Sequence, residues 1–164
     1  MLLEPFFASI EALPAAVAIA ESDWIFPTLE TVHVLAIALV FGSIALLDLR
    51  LLGVASRNHG VLHIAREMLP WTWGAFSLAI ITGGLMFISN AVMYYNNWPF
   101  LVKMVLLLLA GANMAVFHLT EFRSVKLWNL QLPPPIGARL AAMLSLTFWV
   151  LIVACGRWIG FVQS

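Results

Sequence analysis

Four histidines and a few charges within apolar surroundings are the side chains able to do chemistry in this chain. His33 follows Glu30 by three residues, and Glu121 follows His118 by the same spacing. Residues three apart are neighbours on a helix, so each pair reads as an imidazole ligand beside an orienting carboxylate, the arrangement metal-bound histidines use. His63 sits before an apolar stretch as a candidate ligand opposite His118; His59 reads as a solvated loop residue. Lys103 and Arg157 fall inside apolar stretches at the level of Glu30, where they read as partners for that carboxylate or for anionic groups of a cofactor.

The elements that carry these residues follow from composition. Of 164 residues, 63% are apolar and 10% charged, against roughly 45–50% and about 25% in soluble domains. Mean hydropathy is +0.99. An integral membrane protein results, which excludes a soluble enzyme, a disordered chain and a nucleic-acid binder. Eight Lys+Arg balance eight Asp+Glu, and the lone Cys155 excludes an intrachain disulfide.

Apolar stretches long enough to span, about 20 residues, run over about 24–49, 71–93, 98–120 and 140–161. Helices are the expected spanning form, because backbone groups must pair within the segment. Residues 1–22 are apolar but broken by Glu4, Pro5, Glu11 and Pro14, with no basic leader pattern. They read as short interfacial helices, with Ser22 or Asp23 capping the first span. The expected fold is an all-α integral membrane four-helix bundle with an N-terminal interfacial helix, one membrane domain over 1–164.

Six of the eight basic residues (Arg50, Arg57, Arg66, Arg123, Lys126 and Arg139) fall in or beside the two polar loops. The positive-inside rule makes those loops cytoplasmic and both termini periplasmic, in a bacterial inner membrane. Trp24, Trp98 and Trp158 then mark the outer interface and Trp71, Trp73 and Trp128 the inner one; Trp149 alone sits deep.

Depth separates the histidines. The first and third spans run parallel, placing His33 near the outer face and His118 near the inner, about 20 Å apart at 1.5 Å per residue. Axial nitrogens of one heme iron stand about 4 Å apart, so the histidines serve two sites. The inner site pairs His118 with His63. The outer site has His33, with Met86, a neighbouring subunit or nothing as its sixth ligand. In-span Gly42, Gly83, Gly84, Gly111 and Gly156 leave room for a porphyrin or for plain helix packing.

The segment from Glu30 to Gly53, with Trp98 through Lys103, Phe117-His118 and Gly156 to Trp158, resembles a family of small four-helix bacterial inner-membrane proteins of unknown function. His33, Gly42, Arg50 and Lys103 also resemble, more distantly, the pattern of copper-resistance D membrane domains and of the J-type heme-dependent protoporphyrinogen oxidase. The J-type pattern implies heme b on the early histidine. It places its second histidine at about the level of Met114, whereas His118 comes one turn later, so the resemblance implies heme binding rather than that reaction.

The expected function is a b-type heme protein, with one or two hemes per chain on His33, His118 and His63. It would move electrons as a candidate membrane oxidoreductase, with quinone, copper or a periplasmic redox protein as partner. The chain is expected to form a homo-oligomer, since His33 lacks a second histidine at its depth and Phe6, Phe7 and Leu13 offer a collar to neighbouring copies. The alternative is a heme-free, ion-binding transport or channel subunit; a heme-free assembly factor is a third.

Overall fold

The computed structural model describes residues 3–56, 58–129 and 132–162; Arg57, used above for orientation, lies outside them. Two short helices, α1 (Glu4–Glu11) and α2 (Pro14–Ala20), each begin with proline in the first turn, where its missing N–H costs nothing. They pack onto their own chain through Glu11 and Phe7. The Glu11 carboxylate accepts a 2.9 Å bond from the Val92 amide, and the Phe7 ring stacks on Tyr95 with centroids 4.6 Å apart. Phe6 and Leu13 stay exposed.

Four long apolar helices follow: α3 (Ile25–Leu51), α4 (Val61–Ser89), α6 (Trp98–Leu119) and α8 (Ile136–Trp158). Each is long and apolar enough to cross a membrane. The Ser22 hydroxyl accepts from the Ile25 amide at 3.2 Å, satisfying one orphan donor at the start of α3. Gly53, at φ 72°, turns the chain out of α3 in the left-handed region that glycine adopts without strain.

Three boundaries depart from the hydropathy reading. Helix α4 begins at Val61 rather than near 71, because its first turns are amphipathic, with Arg66 and Glu67 turned outward while Val61 and Ala65 are buried. It ends at Ser89, where Asn90 takes a non-helical φ of −149°; the short helix α5 (Ala91–Asn96) replaces a tight turn. After α6, a 3-10 turn (Glu121–Ser124) and α7 (Val125–Trp128) fold back under the bundle.

Asn97 joins two spans that meet at one end. Its side chain caps α6 by accepting from the Phe100 amide at 3.2 Å, and donates to the carbonyls of Ile159 (3.3 Å) and Val162 (2.8 Å). At the other end, Leu51, Val61, Phe117, Val125 and Trp128 form a core cluster. Trp128 is thus buried, not an interfacial belt residue: α7 turns its ring inward, and its indole N–H donates to the Ser124 hydroxyl at 3.0 Å. Trp149 is deep as expected, packed with Val40, Ala75 and Ile152.

The packing is an open ring. α3 packs on α4 and α8, and α8 packs on α6; among the described residues the backbones of α4 and α6 do not approach one another and meet only through side chains. Small side chains (Ala36, Ala75, Ala79, Ala142) let the packed pairs approach closely, as spans without a hydrophobic drive between them require. The gap between α4 and α6 is closed at the His33 end by Phe87 stacked on Phe100 (5.5 Å) with Tyr94 against both. Towards the His118 end, the exposed Trp73 on α4 and Met114 on α6 border a cavity instead.

Candidate functional site

Two polar layers lie in the bundle. In the first, His33 on α3 faces α4. Its Nδ1 is 3.0 Å from the Thr82 hydroxyl, and that hydroxyl donates its single proton to the Leu78 carbonyl at 2.8 Å. Thr82 therefore accepts, Nδ1 carries the histidine proton, and Nε2 is left with the lone pair. The ring lies against Gly83, where an added Cβ would stand 2.9 Å from its Cε1, so only glycine leaves the imidazole this place. Lys103, half-buried at the start of α6, lies within electrostatic reach of His33, and its Nζ sits over Gly156 on α8.

The orienting partner of His33 is thus Thr82, not Glu30. Glu30 is exposed on its helix, and among the described residues neither Lys103 nor Arg157 reaches a carboxylate within ion-pair distance. Arg157 is exposed and lies over the Phe161 ring, 5.0 Å from its centroid. Just outside the spans, burial pushes the Tyr94 phenol above its ordinary pKa, and the Glu30 carboxylate adds to the shift.

The second layer lies at the other end. Lys103 and His118 are separated along α6, as His33 and Asp48 are along α3, by 15 residues, or about 22 Å. His118 and Asp48 both line a cavity of about 150 Å³ among α3, α4, α6 and α8. The His118 Nδ1 is 2.9 Å from the Met114 carbonyl, which only accepts, so here too Nε2 holds the lone pair. Glu121 does not orient His118. Helix α6 ends at Leu119, the helical spacing lapses, and the Glu121 carboxylate lies on Gly137 in the first turn of α8.

Asp48 falls in the sequence within the apolar stretch of about 24–49. In the structure it is 6% exposed, and its Oδ2 has no hydrogen-bond partner. The other polar groups of the cavity are largely committed. Thr72 bonds to Ser43 at 2.7 Å, and the Asn113 amide donates to the Ala141 carbonyl at 2.9 Å. Ser145 faces the Asp48 carboxyl.

His63 lies outside this cavity, so the structure does not bring it to His118. It is exposed, 3.4 Å from Glu67 and stacked on His59 at 5.8 Å. Arg50, matched above to a family pattern, is 4% exposed and donates to the carbonyls of His59 (2.7 Å) and Asn129 (3.2 Å), closing the α3–α4 loop. Gly42 has nothing within 4 Å of where a Cβ would stand, so no close approach requires glycine there.

Among the described residues, no three His, Cys, Asp or Glu side chains cluster to hold a bare metal ion. For heme the two layers differ. At His33, a lone-pair Nε2 with Nδ1 tied down is the form in which histidine binds a metal. The cavity of about 150 Å³ does not fit a porphyrin, since pockets for drug-sized molecules run to about 300–1,000 Å³.

A family model described as a family of unknown function (DUF6644) matches residues 22–162. No curated protein matches the chain, and no solved structure does.

Proposed function

We propose that the chain, a member of this DUF6644 family of unknown function, is a b-type heme protein that moves electrons in a bacterial inner membrane. One observation carries the reading: His33 is held by Thr82 at 3.0 Å against Gly83, which suits the tautomer with Nε2 as the lone-pair nitrogen. Lys103 in the same layer supports it as a cation for anionic substituents, with Arg157 near the end of α8 as a second. The distant resemblance in His33 and Lys103 to the J-type heme-dependent family points the same way.

Heme on His33 would supply one-electron redox chemistry. Thr82 would fix the tautomer and the ring plane. The reading places one heme in each chain, because the second layer does not fit a porphyrin. It includes a homo-oligomer, in which a neighbouring copy, or Met86 within the chain, would offer a further ligand to the iron beside His33.

The test is the absorption spectrum of the purified full chain. Soret and α bands that sharpen on reduction, at one heme per chain, are expected. A colourless, folded protein after expression with ample heme would end the reading and leave the ion-binding transport alternative.

The basic residues in or beside the two polar connections, Arg50 and Arg66 at the first and Arg123, Lys126 and Arg139 at the second, support cytoplasmic loops and periplasmic termini. A periplasm-active reporter fused after the last residue is expected to be active, and a cytoplasm-active one silent. The reverse pattern would put His33 on the cytoplasmic side.

A further inference from the structure

We infer that the cavity at the His118 end is a binding site for the ring of a membrane-soluble hydroquinone. Its occupancy does not depend on heme; its part in electron transfer rests on the heme reading above.

The argument starts from an unsatisfied atom. Asp48 is more than nine-tenths buried and Oδ2 has no partner. A buried acceptor without a donor is costly in a span, and such groups mark sites where something else supplies the donor. Across the same cavity the His118 Nε2 is a second acceptor, because Nδ1–H is spent on Met114. The complementary ligand therefore carries hydrogen-bond donors.

The walls say what lies between those donors. Phe76, Leu107, Trp149 and Val40 make most of the surface apolar. A cavity of about 150 Å³ is of the size that accepts a single benzene ring when its lining is apolar. An apolar six-membered ring with hydroxyl donors answers both requirements. A bare cation answers only the first, since it leaves the apolar walls unfilled.

The route in also fits a lipid-borne molecule. Trp73 and Met114, on α4 and α6, line the cavity and are exposed, so they form its rim where the backbones of those helices stay apart. Gly111 lies beside them with open space where a side chain would stand. A hydrocarbon tail leaves between α4 and α6 into lipid without crossing a polar surface.

The experiment titrates the full chain in mild detergent, anaerobically, with decylhydroquinone, following tryptophan fluorescence, to which Trp73 and Trp149 of the cavity contribute; their share is the part lost in Trp73→Phe and Trp149→Phe. Saturable quenching is expected whether or not the preparation carries heme. The dimethyl ether of the same compound, with ring and tail but no donors, is expected to bind at least about tenfold more weakly. Asp48→Leu and His118→Phe are each expected to weaken the hydroquinone by about tenfold or more. Asp48→Leu is also expected to raise the unfolding midpoint, because a buried carboxyl with one unpartnered oxygen is replaced by an apolar group of similar size. Asp48→Asn serves as the conservative variant and is expected to fold with weakened binding.

Equal affinity for the ether, or unchanged affinity in the Asp48 and His118 variants, would overturn the site. A lowered midpoint with full binding in Asp48→Leu would make Asp48 a structural group and overturn it likewise. Stabilisation by sodium or potassium that Asp48→Asn abolishes, with no response to hydroquinone, would replace it with a cation site.

Discussion

His33→Ala is expected to give a folded protein that has lost its heme, while His118→Ala keeps a full complement. Removing the imidazole takes away the protein's bond to iron. The fold survives because the Thr82 hydroxyl still donates to the Leu78 carbonyl and no buried donor is orphaned. His118 lies about 22 Å away along the bundle, beside a cavity too small for a porphyrin, so its loss does not reach the iron. Thr82→Val is the graded version: it keeps the volume, removes the acceptor for Nδ1–H, and should weaken heme binding by roughly 10–100-fold. Heme per protein by pyridine hemochrome, with the unfolding midpoint on the same samples, checks all three. Loss of heme from both histidine variants, each still folded, would point to one shared centre and refute the two-layer arrangement.

Arg50→Leu is expected to cost about 3 kcal/mol of stability, as two hydrogen bonds from a charged donor are lost and partly recovered by apolar packing. The guanidinium is 4% exposed and holds two chain segments at once, the His59 carbonyl in the α3–α4 loop and the Asn129 carbonyl after α7. Asn129 in turn accepts from the amides of Val61 (backbone oxygen, 3.2 Å) and Leu62 (side-chain oxygen, 2.9 Å), so it caps the first turn of α4. Losing Arg50 frees the loop and removes the anchor of that cap. Gly60 adds a constraint, for a Cβ there would stand 2.8 Å from the Asn129 amide nitrogen. Denaturant unfolding in mild detergent should show the drop, with heme content following only through the folded fraction. A change under about 1 kcal/mol, the worth of an ordinary neutral hydrogen bond, would mean the carbonyls find other donors.

Much of the architecture is legible without coordinates. Length and apolarity alone mark four spans, and α3 and α6 end within two residues of the expected limits, because a span in lipid must be a continuous apolar helix. Depth is legible too: at a fixed rise per residue, His33 and His118 fall at opposite ends of parallel helices. The broken N-terminal segment reads correctly as short helices, since Pro5 and Pro14 permit starts and not continuations.

What a residue faces is another matter. Glu30 looked like the partner of His33 because it is near in sequence; Thr82, 49 residues away, holds the ring. Trp128 looked interfacial because tryptophans often are; α7 turns it into the core. Asp48 looked like one more charge near a helix end, and only the packing of α3, α4, α6 and α8 leaves its Oδ2 in a cavity without a donor. Helices that are apolar on every side carry no stripe to distinguish the packed face from the lipid face. The rotation of each span about its axis, and so which polar side chains meet, is decided by close packing between helices and is expressed only in the tertiary structure.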